Sequence, residues 1–389
     1  IPRQYHPEYV KLLLQNMLEP YYGTGKEKMR AYSFHNYQEL AVYVMQEARG
    51  PRIFKREEFA NRLGISSYKL DQILQDIAYD ADSINVDFSY YLDATNSWRK
   101  PLVRLDADTY FCLDGRMEGY AFYEAMFQII FARYGTVFSK YQGERLEKMV
   151  YQMFREKHFP YITGQYLPDG DLPERNCDMI LEGSERVMFV EIKKCPLPGS
   201  YEQADDVDVL KTLGEGMLYA QEQILWHKLR LKDKGALVLY DKERNYLQDY
   251  TPGKKKIIAM SICMPEYDFL TDRMMTETFL ESTLRVTYHA IDPSREKVLN
   301  KLNKRAANIQ MVTARLFAGE KYTTRDVFFD SMFRSLQQVW TMLRMCDSLD
   351  MFLDMCDTQL VVITGAGDVY VDILSALHLH QSRSNKSLV

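Results

Sequence analysis

Apolar residues recur at helical spacing through roughly the first eighty positions. "HPEYVKLLLQNML" has one apolar side. "SFHNYQELAVYVMQEARG" begins at Ser33, an N-cap residue, and stops at Gly50. "FKREEFANRLGISSYKLDQILQDIAYD" predicts a short helix, a break at Gly64 and a second helix. Ser66 caps that second helix, and Leu70, Ile73, Leu74 and Ile77 form its buried side.

The pattern then changes. "WRKPLVRLDADTYFCLD" alternates as two strands around Asp106-Ala107-Asp108, and the apolar helix after it ends at Gly135. From about 138 to 270 the predicted order is helix, strand, strand, helix, strand, strand, a mixed sheet flanked by helices. Beyond 272 the pattern is helical again, with Pro293-Ser294 as a start and Gly319 as a stop. "TTRDVFFDSMFRSLQQVWTMLRMCDSLDMFLDMCD" reads as one long helix or a helix pair. The expected organisation is a helical domain over 1–95, a strand pair and linking helix over 96–137, an α/β domain over 138–270, a helical region over 271–380 and a disordered tail over 381–389.

Composition narrows the class. The 389 residues are 46% hydrophobic and include 28 Tyr, 19 Phe and 3 Trp, a content that supports packed cores. No run of about 18 apolar residues is present, so no membrane span is expected. The start carries no secretory pattern, and the six cysteines show neither CxxC nor zinc-ligand spacing; both point to free thiols and a cytoplasmic location. Net charge is −5, so no broadly basic surface argues for nucleic acid. The runs Lys254–Lys256 and Lys301–Arg305 read as solvated faces.

One stretch does not fit an ordinary core. "CDMILEGSERVMFVEIKK" (Cys177–Lys194) is an apolar hairpin that nevertheless holds Asp178, Glu191 and Lys193. On the second strand Glu191 and Lys193 share a face with Val187 and Phe189. A two-residue Gly183-Ser184 loop would set Asp178 opposite Phe189 and diagonal to Glu191, with Cα atoms about 7–8 Å apart. A slip of one residue would turn Asp178 to the other face. Two buried carboxylates are costly unless a cation compensates them. Mg²⁺, with its preference for oxygen ligands, suits that place, and Mn²⁺ can substitute. A lysine alongside suits charge stabilisation at a phosphate.

This pattern resembles the PD-(D/E)xK nuclease superfamily, with its restriction-endonuclease-like fold. The matching residues are Glu147 in "GERLEKMV", Asp178 in "NCDMIL" and Glu191-Ile192-Lys193 in "VEIKK", the chain's only Glu-x-Lys. The resemblance spans about a third of the chain. It implies metal ligation by Asp178, Glu191 and Glu147, and water positioning or transition-state stabilisation by Lys193. It further implies an Mg²⁺-dependent endonuclease acting on DNA, with RNA as an alternative, in restriction, phage defence, mobile-element processing or repair. Two departures stand out. Cys177 occupies the place of the family's usual Pro, and the Gln-containing helix motif of some members is only loosely echoed by Tyr219, Gln221 and Gln223.

Further candidates are weaker. The helix pair around Gly64 resembles a helix-turn-helix, which would present Tyr68, Lys69 and Gln72 to nucleic acid, with Gln221 as an additional contact. "YYGTGKEK" and "ITGAGD" lack the full phosphate-loop context. Asp205, Asp206 and Asp208 read as a helix start, and His158 and His227 as structural. The competing reading is a DNA- or protein-binding regulator on a non-cutting core. A homodimer or larger complex is compatible with the long C-terminal helices.

Overall fold

Strands and helices assemble into two units, Ile1–Met149 and Val150–Val389. They are seen in a computed structural model that describes all residues except 1–3, 24–27, 87, 90–98, 196–204, 363 and 387–389, and the side chains except also 269, 381 and 383–386. The class is mixed α/β with two mixed sheets. Among the described residues, no helix is long and apolar enough to cross a membrane.

The first unit opens with α1 (Pro7–Met17), α2 (Glu19–Tyr22) and α3 (Phe34–Glu47). Ser33 caps α3 in a reciprocal pair with Asn36, as its position predicts. β1 (Arg52–Lys55) leads into α4 (Arg56–Leu63) and α5 (Ser67–Ile77). Gly64 between them is left-handed at φ 58°, which lets the chain reverse without a Cβ penalty. β2 (Ala78–Asp80), β3 (Leu102–Asp106) and β4 (Thr109–Cys112) follow. The sheet order is β1-β4-β3-β2, with β2 and β3 parallel. This corrects the expected helical domain over 1–95 and separate strand pair over 96–137: β1 and β2 lie inside the helical stretch and need β3 and β4 as ladder partners. The predicted strand start at Trp98 lies outside the described residues.

α6 (Gly119–Glu156) is bent at Gly135, whose φ of 58° and ψ of −142° are not helical. The predicted stop is therefore a kink. The division between units falls within α6, after Met149, rather than at 138.

The second unit contains β5 (Ile162–Tyr166), β6 (Arg175–Glu182) and β7 (Arg186–Lys193). α7 (Asp206–Leu213) passes through a π-helical turn, Gly214–Leu218, into α8 (Tyr219–Lys234). Asp205 caps α7, and Arg295 pairs with both Asp205 and Asp208. β8 (Leu237–Tyr240) and β10 (Lys256–Cys263) are the two further strands expected, whereas β9 (Tyr246–Tyr250), like β5, is an additional strand that the pattern does not predict. α9 (Arg273–Thr283) and α10 (Glu296–Leu316) come next. Then come α11 (Thr324–Phe328), β11 (Ser331–Ser335), α12 (Leu336–Met345), α13 (Leu349–Gln359) and α14 (Val369–Lys386).

The second sheet runs β11-β10-β7-β6-β5-β8-β9, with β11, β10 and β7 mutually parallel in sequence and the rest antiparallel. β11 corrects the expected helical region over 271–380. The polar groups along the β10 edge take a ladder partner there, and that demand outweighs the helical pattern of the surrounding residues. The expected tail also differs, since α14 continues to Lys386; 387–389 lie outside the described residues. α8 lies over the sheet, with Ile224 packed among Val187, Phe189, Ile180 and Leu239. All six cysteines are free and buried.

Candidate active site

The β6–β7 hairpin decides where its charges meet. Its register pairs Met179 with Val190 and Glu182 with Val187. Gly183 donates its N–H to the Arg186 carbonyl, so the two-residue loop is Ser184-Glu185 rather than the predicted Gly183-Ser184. A side chain from far along the chain shapes it: Asp350 on α13 accepts the Ser184 N–H at 2.7 Å and hydroxyl at 3.1 Å. A Cβ on Gly183 would lie 2.3 Å from the same carboxylate. The register thus differs from the expected one by two residues, not one. Because strand faces alternate with a period of two, Asp178 keeps its predicted face. It moves from diagonal to directly across from Glu191.

Three predicted residues come together. Lys193 Nζ is 2.9 Å from Glu191 Oε2 and 3.4 Å from Asp178 Oδ2. Asp178 Oδ2 also accepts the Ile192 N–H at 2.8 Å, and Tyr151 donates to the Asp178 carbonyl at 2.8 Å. The Glu191 side chain is 0% exposed, and those of Lys193 and Asp178 are 12% and 11% exposed. Glu147 belongs to the first unit, on α6, and is half-buried.

A fourth residue, read from the sequence as structural, completes the cluster. His227 Nε2 lies 2.9 Å from Glu191 Oε1, and its Nδ1 lies 3.0 Å from the Tyr166 hydroxyl. An ionised carboxylate only accepts, so Nε2 carries a proton and donates it. His227 stands one and two turns beyond Gln223 and Tyr219 on α8. Following that helical stripe along the sequence would have reached it.

Burial alone would raise the Glu191 carboxyl, but Lys193 and His227 overcome it and hold it down to about 2. Burial alone would lower the Lys193 ammonium, but Glu191 and Asp178 outweigh that and raise it. The sign for stability follows from the depressed carboxyl. Its contribution is fully present above the unfolded value of about 4.3 and is lost as pH falls toward 2. Thermal melts between pH 5 and 2 should show Glu191→Gln losing stability with about one proton's less slope than the wild type. Equal slopes would mean that the folded chain does not hold the Glu191 carboxyl below its unfolded value.

The remaining predicted contacts divide. Tyr68 is 66% exposed, Lys69 is exposed, and Gln72 bonds to Tyr68 at 3.1 Å and accepts the Ala31 N–H at 2.9 Å. Gln221 does not reach the surface. It is 1% exposed, a correction to its expected role as a nucleic-acid contact, because α8 turns it into the packed interior. Neither of its amide atoms has a hydrogen-bond partner among the described residues.

Two carboxylates from adjacent strands are a hard-oxygen donor set that fits Mg²⁺ or Mn²⁺. Ser261, beside Glu191 on β10, is buried with a hydroxyl that lacks a partner among the described residues. Such a hydroxyl could bond a water of a hydrated ion. Among the described residues, no group of three or more His, Cys, Asp or Glu is placed to hold a metal. The remaining ligands of such an ion would be water and substrate. No protein-family description, curated protein or solved structure matches the chain.

Proposed function

We propose that the chain is a metal-dependent nuclease of restriction-endonuclease-like fold that hydrolyses DNA phosphodiester bonds with Mg²⁺. The observation that carries this reading is the cross-strand meeting of Asp178 and Glu191 around the Lys193 ammonium. A cation already sits between the two acids, which is where a pair of carboxylates makes the potential most negative. Mg²⁺, when bound, would polarise the phosphoryl oxygens and acidify a bound water. Asp178 and Glu191 would hold the ion, with the Ile192 N–H orienting Asp178 and His227 orienting Glu191. Lys193, released from the acids, would carry positive charge toward the scissile phosphate.

One observation favours a second reading. Glu191 is closed from solvent and held on both oxygens, by Lys193 and His227. A pair satisfied in this way suits a nucleic-acid- or protein-binding regulator with a non-cutting core. A single assay separates the two. The protein is incubated with linear, circular and single-stranded DNA and with RNA, in Mg²⁺, Mn²⁺ or EDTA, beside Asp178→Ala and Lys193→Ala. Metal-dependent cutting lost in both variants is expected; removal of such groups commonly costs 10²-fold or more. Nucleic-acid binding without cutting under any of these conditions would favour the regulator. Equal cutting by wild type and variants would sink the assignment.

A further inference from the structure

Lys193 has a second neighbourhood besides the acids. It borders a cavity of about 750 Å³. Lys193 and Lys194 reach that cavity from the end of β7, Lys211 from α7, and Lys297, Lys301 and Arg305 from α10. Glu215 is the one acid among the described lining residues. The three α10 cations recur every four residues and so form one stripe along the helix. The run Lys301–Arg305, which reads as a solvated face, thus sends two of its cations to this wall.

Part of this positive charge lacks a carboxylate partner. Lys211, Lys297 and Lys301 have no carboxylate partner among the described residues. Arg305 lies over the Tyr219 ring at 3.8 Å and only 3.5 Å from Glu222. Burial pulls the Lys194 ammonium below its ordinary value. The chain as a whole carries −5, so the cluster runs against its overall sign. Like charges facing one space repel, and a multivalent anion would relieve them.

The dimensions select among anions. The α10 stripe spans eight residues, or about 12 Å at the helical rise, which suits successive phosphates better than one. The cavity has the volume of a small-ligand site rather than of a duplex. A duplex would not enter it. We propose that this cavity binds consecutive phosphates of a single-stranded nucleic acid. The proposal rests on the nuclease reading and deepens it, because it brings the strand to Lys193, the residue shared by the cavity and the acid pair.

The test measures binding of a labelled single strand by fluorescence anisotropy in EDTA, so that cutting plays no part. The same sequence as a duplex and free ATP as a competitor are the other arms. The single strand should bind more tightly than the duplex. Lys297→Ala/Lys301→Ala, altered only at exposed helix positions, should weaken it about tenfold or more and flatten the log–log salt dependence by about 1.4. Unchanged binding by this variant, equal affinity for duplex, or displacement of the strand by ATP at equal phosphate concentration would overturn the proposal. The two readings fail separately. Strand binding lost in the variant, without cutting by wild type in Mg²⁺ or Mn²⁺, keeps the cavity and removes the hydrolysis. Metal-dependent cutting with unaltered binding in the variant does the reverse.

Discussion

Lys193→Met is expected to destabilise the protein by about 3–5 kcal/mol, as removal of one partner from a buried ion pair does. The cost is not the lost attraction itself. Glu191 is wholly enclosed, and without the ammonium it keeps only His227 as a compensating donor. Asp178 loses the same cation, at 3.4 Å. The double variant Glu191→Gln/Lys193→Met should recover the part of the loss due to Glu191, because an uncharged pair needs no compensation, but not the part due to Asp178. Urea denaturation followed by far-ultraviolet circular dichroism reads both values. A loss below about 1 kcal/mol in the single variant would place the pair with solvent-screened surface bridges and remove the electrostatic account of the site.

A pair of glycine substitutions should move stability in opposite directions. A Cβ on Gly115 would lie 2.5 Å from the Val44 carbonyl oxygen and 2.7 Å from Met45 Cα. Both are backbone atoms of α3 and cannot swing aside. The Gly115 N–H also donates to the Ala48 carbonyl at 2.8 Å, a bond that any displacement would stretch. Gly115→Ala should cost about 3 kcal/mol, the upper part of the range for overpacking. That corresponds to roughly 6–12 °C in melting temperature for a unit of this size. Gly143 lies within α6 with no neighbour within 4 Å of an added Cβ. Gly143→Ala should therefore gain about 0.5–1 kcal/mol from helix propensity alone. Scanning calorimetry of the two variants checks both signs, and a neutral Gly115→Ala would show that α3 can shift to make room.

What the sequence reveals follows how local each cause is. The hairpin is legible because alternation and a Gly-Ser turn are near-neighbour signals, and they carry Asp178, Glu191 and Lys193 to one face. Its register is not, because the turn is fastened by Asp350, which lies 166 residues away from Ser184. β11 is hidden for a similar reason. "SMFRS" sits in an apolar run with helical spacing, and only the bare side of β10 makes it a strand. His227 is solitary along the chain because its partners, Glu191 and Tyr166, come from two strands, β7 and β5, remote from α8 in sequence. The burial of Gln221 is not legible because helix pattern alone does not say that α8 is covered on that side. The cation-lined cavity was divided among residues of β7, α7 and α10, none of which is unusual within its own segment.

The lateness of β11 has a consequence for biosynthesis. β10, "KIIAMSIC", leaves the ribosome many residues ahead of β11, the strand that flanks it on that side. At 5–20 residues per second, its open flank would persist for several seconds. Such an uncovered β-edge is a template for unwanted pairing between nascent chains. Polypeptides terminated between positions 264 and 330 would retain it permanently, and inclusion bodies are their expected fate.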